Sequence, residues 1–331
     1  PPTPLFMNLE TSYLGLSLRT PFVVGSSPFC DRVALARQLE EAGAGALVMR
    51  SLFEEQIHPP PRRVSLGLPA LCGSEEFPEF ADYQLAPESY LGHLADLKAA
   101  VSIPVIASLN GAQPGAWTDF ARRLERAGAD AIELNLYRVV TDVSVPADQV
   151  ETEMLETVGL IAGVVGIPVA VKMSPFHTCL AQLAVALELA GASGVVVFNR
   201  FYQPDVDTRE ITVQPMLRLS DSEEILLRLR WLAILSPKLR GSLAATGGFH
   251  TADDVIKAML TGADVVQLVS VLLRHGPAVL PTIVGGLEAW MREHGYDAID
   301  EFHGLLNLRG CRDASAFERA NYLRTLQSWK V

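Results

Sequence analysis

Apolar and polar positions along the chain fall into a repeating cadence. Glu41-Ala42-Gly43-Ala44-Gly45 leads into the apolar run Ala46-Leu47-Val48-Met49, and Arg126-Ala127-Gly128-Ala129-Asp130 leads into Ala131-Ile132-Glu133-Leu134. The step recurs at Leu189-Ala190-Gly191-Ala192-Ser193, before Gly194-Val195-Val196-Val197-Phe198. It recurs again at Leu260-Thr261-Gly262-Ala263-Asp264, before Val265-Val266-Gln267-Leu268. Each is the pattern of a helix ending at a C′ glycine, with a short turn feeding a buried, β-branched strand. Between them, Ile103-Pro104-Val105-Ile106-Ala107-Ser108 and Ile167-Pro168-Val169-Ala170-Val171-Lys172 place proline at a strand start, where no ladder donor is lost. With Phe22-Val23-Val24 and the run from Gly241 there are eight strands, beginning near 22, 46, 104, 131, 168, 194, 241 and 265, each followed by a helical stretch. That is the order of an α/β chain folded as a (β/α)8 TIM barrel. An open doubly wound sheet is the alternative, but no G-x-G-x-x-G follows the first strand.

The remaining segments fit around that barrel. Asn8 to Pro21 alternates about Gly15, as an N-terminal β-hairpin placed to plug the barrel bottom would. Asp31 is the expected N-cap of a helix running to about Ala42. Two strand-to-helix connections, Ser51 to Pro87 and Phe201 to Asp221, exceed what a barrel needs, and such loops lie over ligands at the C-terminal face. Ala298 to Val331 reads as irregular chain and a C-terminal helix. No linker or low-complexity segment interrupts residues 1–331, so a single domain is expected.

Barrel active sites sit where strands end, which makes the residues just past each strand the informative ones. They are Gly25-Ser26-Ser27, Arg50-Ser51, Ser108 with Asn110, Asn135 with Tyr137 and Arg138, Lys172, Asn199-Arg200, Gly247-Gly248 and Val269-Ser270. Small and amide-bearing residues dominate. No cluster of Asp, Glu and His stands there, which disfavours a metal hydrolase. Gly247-Gly248 opens a helix and Val269-Ser270 ends the last strand, and this pair of turns is where barrels build phosphate sites. Lys172 ends an apolar strand and is read as a Schiff-base nucleophile, a cation beside an electron-rich ligand, or a lysine snorkelling to the rim. Asn135 and Asn199 could read a planar heterocycle with donor and acceptor together, or cap their loops. Arg50 suits an anion, a flavin edge or a rim salt bridge. His177 reads as a loop or capping residue before a base.

Composition narrows the partners. A net charge of -11 argues against nucleic acid or an anionic membrane surface, and no apolar run has the length of a membrane span. Pro1 to Leu9 carries no signal-peptide pattern. Cys30, Cys72, Cys179 and Cys311 are widely spaced and form no C-x-x-C pair, so a reducing, cytoplasmic setting is expected. Cys30, just past a strand, is read as a functional thiol or as a small buried residue.

Together these residues resemble the dihydroorotate dehydrogenase family, in its soluble class 1 branch, over nearly the whole chain. The resemblance rests on Tyr13-Leu14-Gly15-Leu16-Ser17-Leu18-Arg19-Thr20-Pro21-Phe22, the small-residue loop Gly25-Ser26-Ser27, Ile106-Ala107-Ser108-Leu109, and the Val169-to-Lys172 strand. Thr246-Gly247-Gly248 and the Gly262-Ala263 turn complete it. It implies a barrel holding FMN at its C-terminal mouth, often as a homodimer, in a flavoprotein oxidoreductase of pyrimidine biosynthesis that acts on a CH–CH bond. By position, Lys172 would stand near the flavin N1 and C2 carbonyl, and Gly25, Ser26 and Ser27 at the ring's other edge. Gly247, Gly248, Val269 and Ser270 would hold the ribityl phosphate, with Arg50, Ser51, Asn110, Asn135 and Asn199 around flavin and substrate.

The chain departs from that branch after its fourth strand. The class 1 pattern there is Asn-Leu-Ser-Cys-Pro-Asn, whose cysteine is the base, whereas this chain reads Asn135-Leu136-Tyr137-Arg138-Val139-Val140. Arginine is no base near neutral pH. Arg50 replaces the usual lysine after strand two, and the Asn-rich substrate loop has become Leu71-Cys72-Gly73-Ser74-Glu75-Glu76-Phe77-Pro78. Tyr137 is then the candidate base, and Arg138 or Arg50 could fork a substrate carboxylate. Three functions are expected, in order: an FMN-dependent dehydrogenase of the dihydroorotate dehydrogenase kind, with either dihydroorotate or a different small molecule as its substrate, a flavin-binding accessory or electron-transfer protein working with a redox partner, and a Schiff-base lyase on Lys172.

Overall fold

Eight short apolar segments lie side by side and close on themselves. In the computed structural model, which describes residues 7–57, 86–111, 115, 117–136, 138–200, 203–214, 216–317 and 320–328, a hairpin of β1 (Thr11–Tyr13) and β2 (Leu16–Leu18) precedes them. The parallel barrel strands are β3 (Phe22–Val24), β4 (Ala46–Val48), β6 (Val105–Asn110), β7 (Ala131–Asn135), β8 (Val169–Met173), β9 (Gly194–Val197), β12 (Ser242–Thr246) and β13 (Val265–Leu268). β13 pairs back onto β3, and β4 onto β6, which closes the (β/α)8 ring. A two-residue strand, β5 (Leu52–Phe53), extends β6 at the rim, and an antiparallel ribbon, β10 (Asp205–Asp207) and β11 (Thr212–Gln214), rises from the long loop after β9.

The helices follow the strands: α1 (Val33–Glu41), the single turn α2 (Glu54–Ile57), α3 (Pro87–Ala100), α4 (Thr118–Arg126), α5 (Ala147–Ala162), α6 (Leu180–Leu189), α7 (Ile225–Leu235), α8 (Ala252–Thr261), α9 (Ser270–His275), α10 (Leu280–His294) and α11 (Ala320–Gln327). Gly43, Gly128, Gly191 and Gly262 all have φ between +98° and +113°, so the repeated glycine is what lets each helix turn back into a strand. α8 starts on a capping box, in which the Thr251 hydroxyl accepts from the Asp254 N–H at 3.2 Å and the Asp254 carboxylate accepts from the Thr251 N–H at 2.9 Å. Pro104 and Pro168 still lend their carbonyls to the neighbouring strands, accepting from Leu47 and Ile132.

Asp31 does not cap α1. It closes a 3-10 turn over Pro28–Asp31, Arg32 takes the N-cap position without a side-chain bond, and the Asp31 carboxylate turns to Arg50. Cys30 is buried, with its thiol 3.3 Å from the Val48 carbonyl, and burial, then the charge of Asp31, pushes it up to about 12. That is a structural residue and not an activated thiol. Cys72, Tyr137 and the Leu71–Pro78 segment lie outside the described residues.

Strand and helix faces meet in one shell of buried aliphatic residues, while a second cluster fills the barrel's own interior. That inner cluster joins Tyr13, Leu14 and Leu18 of the hairpin to Val23, Val48 and Ile106, along with six small inward residues, four alanines and two valines. The hairpin therefore plugs the N-terminal end, and Leu14 is tied down where its N–H donates to Ser242 Oγ at 2.8 Å. From Ala298 onward the chain crosses α7 and α8, bonding through Gly304 to Met259 and Leu308 to Ala233, before reaching α11.

Candidate active site at the barrel mouth

Period-2 alternation aims every second residue of each strand into the barrel. Above the plugged layer, those positions are polar: Ser108, Glu133, Lys172, Thr246 and Gln267, all buried. Lys172 Nζ lies 2.5 Å from Glu133 Oε1, and the side chains are only 7% and 1% exposed. The second Glu133 oxygen accepts from Gln267 Nε2 at 2.5 Å. The lysine near the end of β8 is thus clamped by a carboxylate two residues earlier on the neighbouring strand's register, where Asn135 stands opposite Lys172. Glu133 is felt below as well. Burial first, then its charge, raises the Tyr13 phenol well above its ordinary value.

Lys172 also borders a cavity of about 200 Å³ at the mouth, with Ser26, Asn199, Gly247, Gly248, Val269 and Ser270 in its wall. Backbone approaches closely here. A Cβ on Gly25 would lie 2.6 Å from Val269 Cγ2, and one on Gly248 would lie 2.7 Å from the Asp221 carbonyl oxygen. Gly247 and Gly248 have φ of +88° and +95°, a region that side-chain-bearing residues avoid. Arg228 pins the turn from behind: its Nε donates to the Thr246 carbonyl at 2.9 Å and its Nη1 to the Glu224 carbonyl at 2.7 Å. Burial lowers its pKa against the opposing pull of Glu224.

Ser220 reaches into this wall. Its hydroxyl accepts from the Gly248 N–H at 3.0 Å and donates to Ser270 Oγ at 2.7 Å, while its own N–H donates to Ser270 Oγ at 3.1 Å. His250 Nε2 lies 2.7 Å from the Ser220 carbonyl oxygen, which holds the loop down. Three other buried polar atoms at this end, Ser27 Oγ, Asn135 Oδ1 and Gln267 Oε1, have no hydrogen-bond partner. Buried polar atoms are rarely left so, and these are the groups a polar ligand would satisfy.

The structure brings Ser26, Lys172, Asn199, Gly247, Gly248, Val269 and Ser270 to one cavity, with Ser51 adjoining: Ser26 and Ser51 hydroxyls are 3.4 Å apart, and Ser51 and Ser108 hydroxyls 2.8 Å. Asn110 and Asn135 are paired in register on β6 and β7. Both arginines already face an acid. Arg50 is bonded to Asp31, and Arg138 to Glu153, beside a different cavity. Glu133, Gln267, Ser220 and Arg228 are not evident from strand ends alone. Glu133 and Gln267 had a signal, each being a polar residue on the inward parity of an otherwise apolar strand. Arg228 lies in a helix apolar on most sides, and Ser220 in a loop, so neither left one.

Comparison with known proteins settles the kinship. The sequence profile described as dihydroorotate dehydrogenase matches residues 8–291. The chain belongs to the dihydroorotate dehydrogenase family. The relatives of this dihydroorotate dehydrogenase family member include the "NAD-dependent dihydropyrimidine dehydrogenase subunit PreA" of Escherichia coli K12, 23% identical over 325 residues, which are 92% of this chain and 78% of the relative. The catalytic subunit of dihydroorotate dehydrogenase B (NAD(+)) from Methanothermobacter thermautotrophicus is 25% identical over 319 residues, covering 91% of this chain and 99% of the relative. The corresponding subunit from Pyrococcus furiosus is 26% identical over 308 residues, covering 90% and 99%. As a dihydroorotate dehydrogenase family chain it is a dehydrogenase-like oxidoreductase. Among the described residues, no helix is long and apolar enough to cross a membrane, and no three His, Cys, Asp or Glu side chains group to hold a metal ion.

Proposed function

We propose that the chain is an FMN-dependent dehydrogenase acting on a CH–CH bond of a small ring substrate that lacks a carboxylate. The observation that carries this reading is the mouth cavity, where Lys172 and the Gly247, Gly248, Val269 and Ser270 backbone share one wall. The residues fit the cofactor: the glycine turn lines the mouth cavity with backbone at φ values that side-chain-bearing residues avoid, and unpartnered Asn135, Ser27 and Gln267 oxygens suit a heterocycle bearing N–H and hydroxyl groups. Gly247, Gly248, Val269 and Ser270 would hold the phosphate. Gly25, Ser26, Ser27 and Lys172 would border the ring, with Ser51, Asn110, Asn135 and Asn199 completing its surroundings. Bound FMN supplies a two-electron carrier.

The rest of the chemistry belongs to the chain. Lys172, held at 2.5 Å from a buried carboxylate, serves as a fixed cation beside the ring. That pairing also opposes the Schiff-base lyase reading, which needs the lysine's lone pair free. Arg50 and Arg138, the forks expected from the sequence for a substrate carboxylate, are each matched by an acid, which speaks for a substrate without that group. Tyr137 remains the proposed base. A redox partner is proposed because the relatives' names mark them as subunits, and a cytoplasmic homodimer is proposed from the family pattern. One observation favours an accessory electron-transfer protein instead: the class 1 cysteine position holds Arg138, already ion-paired to Glu153.

The visible spectrum of purified protein tests the reading. A flavin spectrum, bleached by dithionite and by a neutral dihydropyrimidine, is expected. Protein that stays colourless after incubation with FMN overturns the flavin reading, and flavin that dithionite reduces but no dihydropyrimidine or dihydroorotate does favours the accessory protein.

A further inference from the structure

A second and larger cavity lies outside the one that borders Lys172. It holds about 450 Å³ between the 138–145 loop, the first half of α5 and the 174–178 loop, and its walls share no residue with the first. Leu136 directly follows β7 and Ser174 directly follows β8, so it opens at the same end of the barrel. The volume falls in the range of small-molecule sites, roughly 300–1,000 Å³.

Its lining has two parts. Val140, Val145, Val150, Met154 and Phe176 form apolar walls, and the rim is apolar too, with Val139 61% and Phe176 71% exposed. Isolated exposed valines mean little, but several gathered around one cavity mark a surface that gains by being covered. The polar part is Arg138, Asp142, Glu151, Glu153 and His177. Arg138 and Glu153 neutralise one another, and Gln149 Nε2 donates to the other Glu153 oxygen at 2.9 Å. Asp142 accepts from the N–H and hydroxyl of Ser144 at 2.8 and 2.7 Å, so only neutral groups meet its charge. Three carboxylates against one guanidinium leave the walls negative by two.

His177 supplies the directional element. Its Nε2 is buried and has no hydrogen-bond partner. Burial lowers the ring's pKa, with Glu151 pulling weakly the other way, so the imidazole is neutral at pH 7 and offers either a donor or an acceptor. Left unmet, the ring nitrogen carries the desolvation penalty of a buried polar atom, which a ligand hydroxyl, carbonyl or ring N–H would recover.

We propose that this cavity is a second small-molecule site, built for an uncharged or cationic aromatic compound whose polar group bonds His177 Nε2, and built against anions. It stands apart from the flavin reading and holds whether or not FMN is bound.

Three indoles of nearly equal size test it by charge: tryptophol (neutral, with a hydroxyl), tryptamine (cationic) and indole-3-acetate (anionic). Each is titrated into the protein with and without flavin, and the His177 ring resonances are followed by NMR, assigned with His177→Gln. Saturable shifts with tryptophol and tryptamine, and affinity for indole-3-acetate at least tenfold weaker, are expected. Val150→Trp fills the cavity and should abolish the shifts. Met154→Phe fills it more gently, and circular dichroism verifies that either variant folds. Equal or tighter binding of indole-3-acetate, shifts that survive both filled variants, or no saturable shift with any indole would overturn the site. None of these results alters the visible spectrum, so failure here is distinct from failure of the flavin reading.

Discussion

Removing the charge of Glu133 is the sharpest test of how the mouth is built. Glu133→Gln keeps the side chain's shape and one oxygen for Lys172, yet strands an ammonium whose side chain is 7% exposed. Breaking a buried ion pair by removing one partner costs about 3–5 kcal/mol, and a retained neutral hydrogen bond returns about 1 kcal/mol. The expected loss is therefore about 2–4 kcal/mol, with little solvent screening at this depth. Lys172→Met should cost a similar amount, because it leaves Glu133 with only Gln267 as a partner. The double variant Glu133→Gln/Lys172→Met should cost less than the sum of the two by about 2 kcal/mol or more, since neither charge is then stranded. Calorimetry on flavin-free protein reads this as melting-point drops of roughly 4–16 °C for the single variants, at about 2–4 °C per kcal/mol. Single losses within about 1 kcal/mol that simply add in the double variant would refute the idea that the two charges are a coupled, buried pair.

Other perturbations give separate readings. Gly248→Ala places a Cβ 2.7 Å from the Asp221 carbonyl oxygen at a φ of +95°, and FMN affinity by fluorescence titration should fall at least about tenfold. Ser220→Ala leaves the Gly248 N–H without its acceptor, costing about 1–3 kcal/mol in flavin-free protein; that cost should vanish with saturating FMN if phosphate takes over the donor, as melting points with and without FMN will tell. Burial alone would lower the His303 pKa, but the hydrogen bond and charge of Asp264, 3.2 Å away, together with Asp300, outweigh it and raise it. A raised histidine lends stability below about pH 6.5 that is lost as pH climbs through the folded value, so wild type should weaken across that window while His303→Gln stays flat in thermal melts.

The barrel was legible because its repeat is local. A glycine that must turn left after each helix, and a strand that must be apolar on both faces, leave their marks within ten residues. The glycine turn after β12 was legible for the same reason: Gly247 and Gly248 have φ of +88° and +95°, a demand that operates within the turn. The pairings were not. Nothing near Lys172 in the chain announces Glu133, which reaches it across a strand register, and nothing near Gly248 announces Ser220. Asp31 shows the converse, since as a cap it satisfied every local rule, yet Arg50 from the next strand outbid the backbone for its carboxylate. The rewritten loop after β7 was visible as a departure, but its partner Glu153 lies nearly two turns into α5, and only the fold puts them side by side.

The hairpin plug has a kinetic consequence for the charges above it. With Tyr13, Leu14 and Leu18 stoppering the lower end, protons exchanging on Lys172 must travel through the mouth. Anything seated there corks their route. The lifetime of the lysine's ammonium protons in deuterated solvent thus becomes a clock for occupancy, slow when the mouth is filled and fast when it is clear, whatever chemistry the occupant performs.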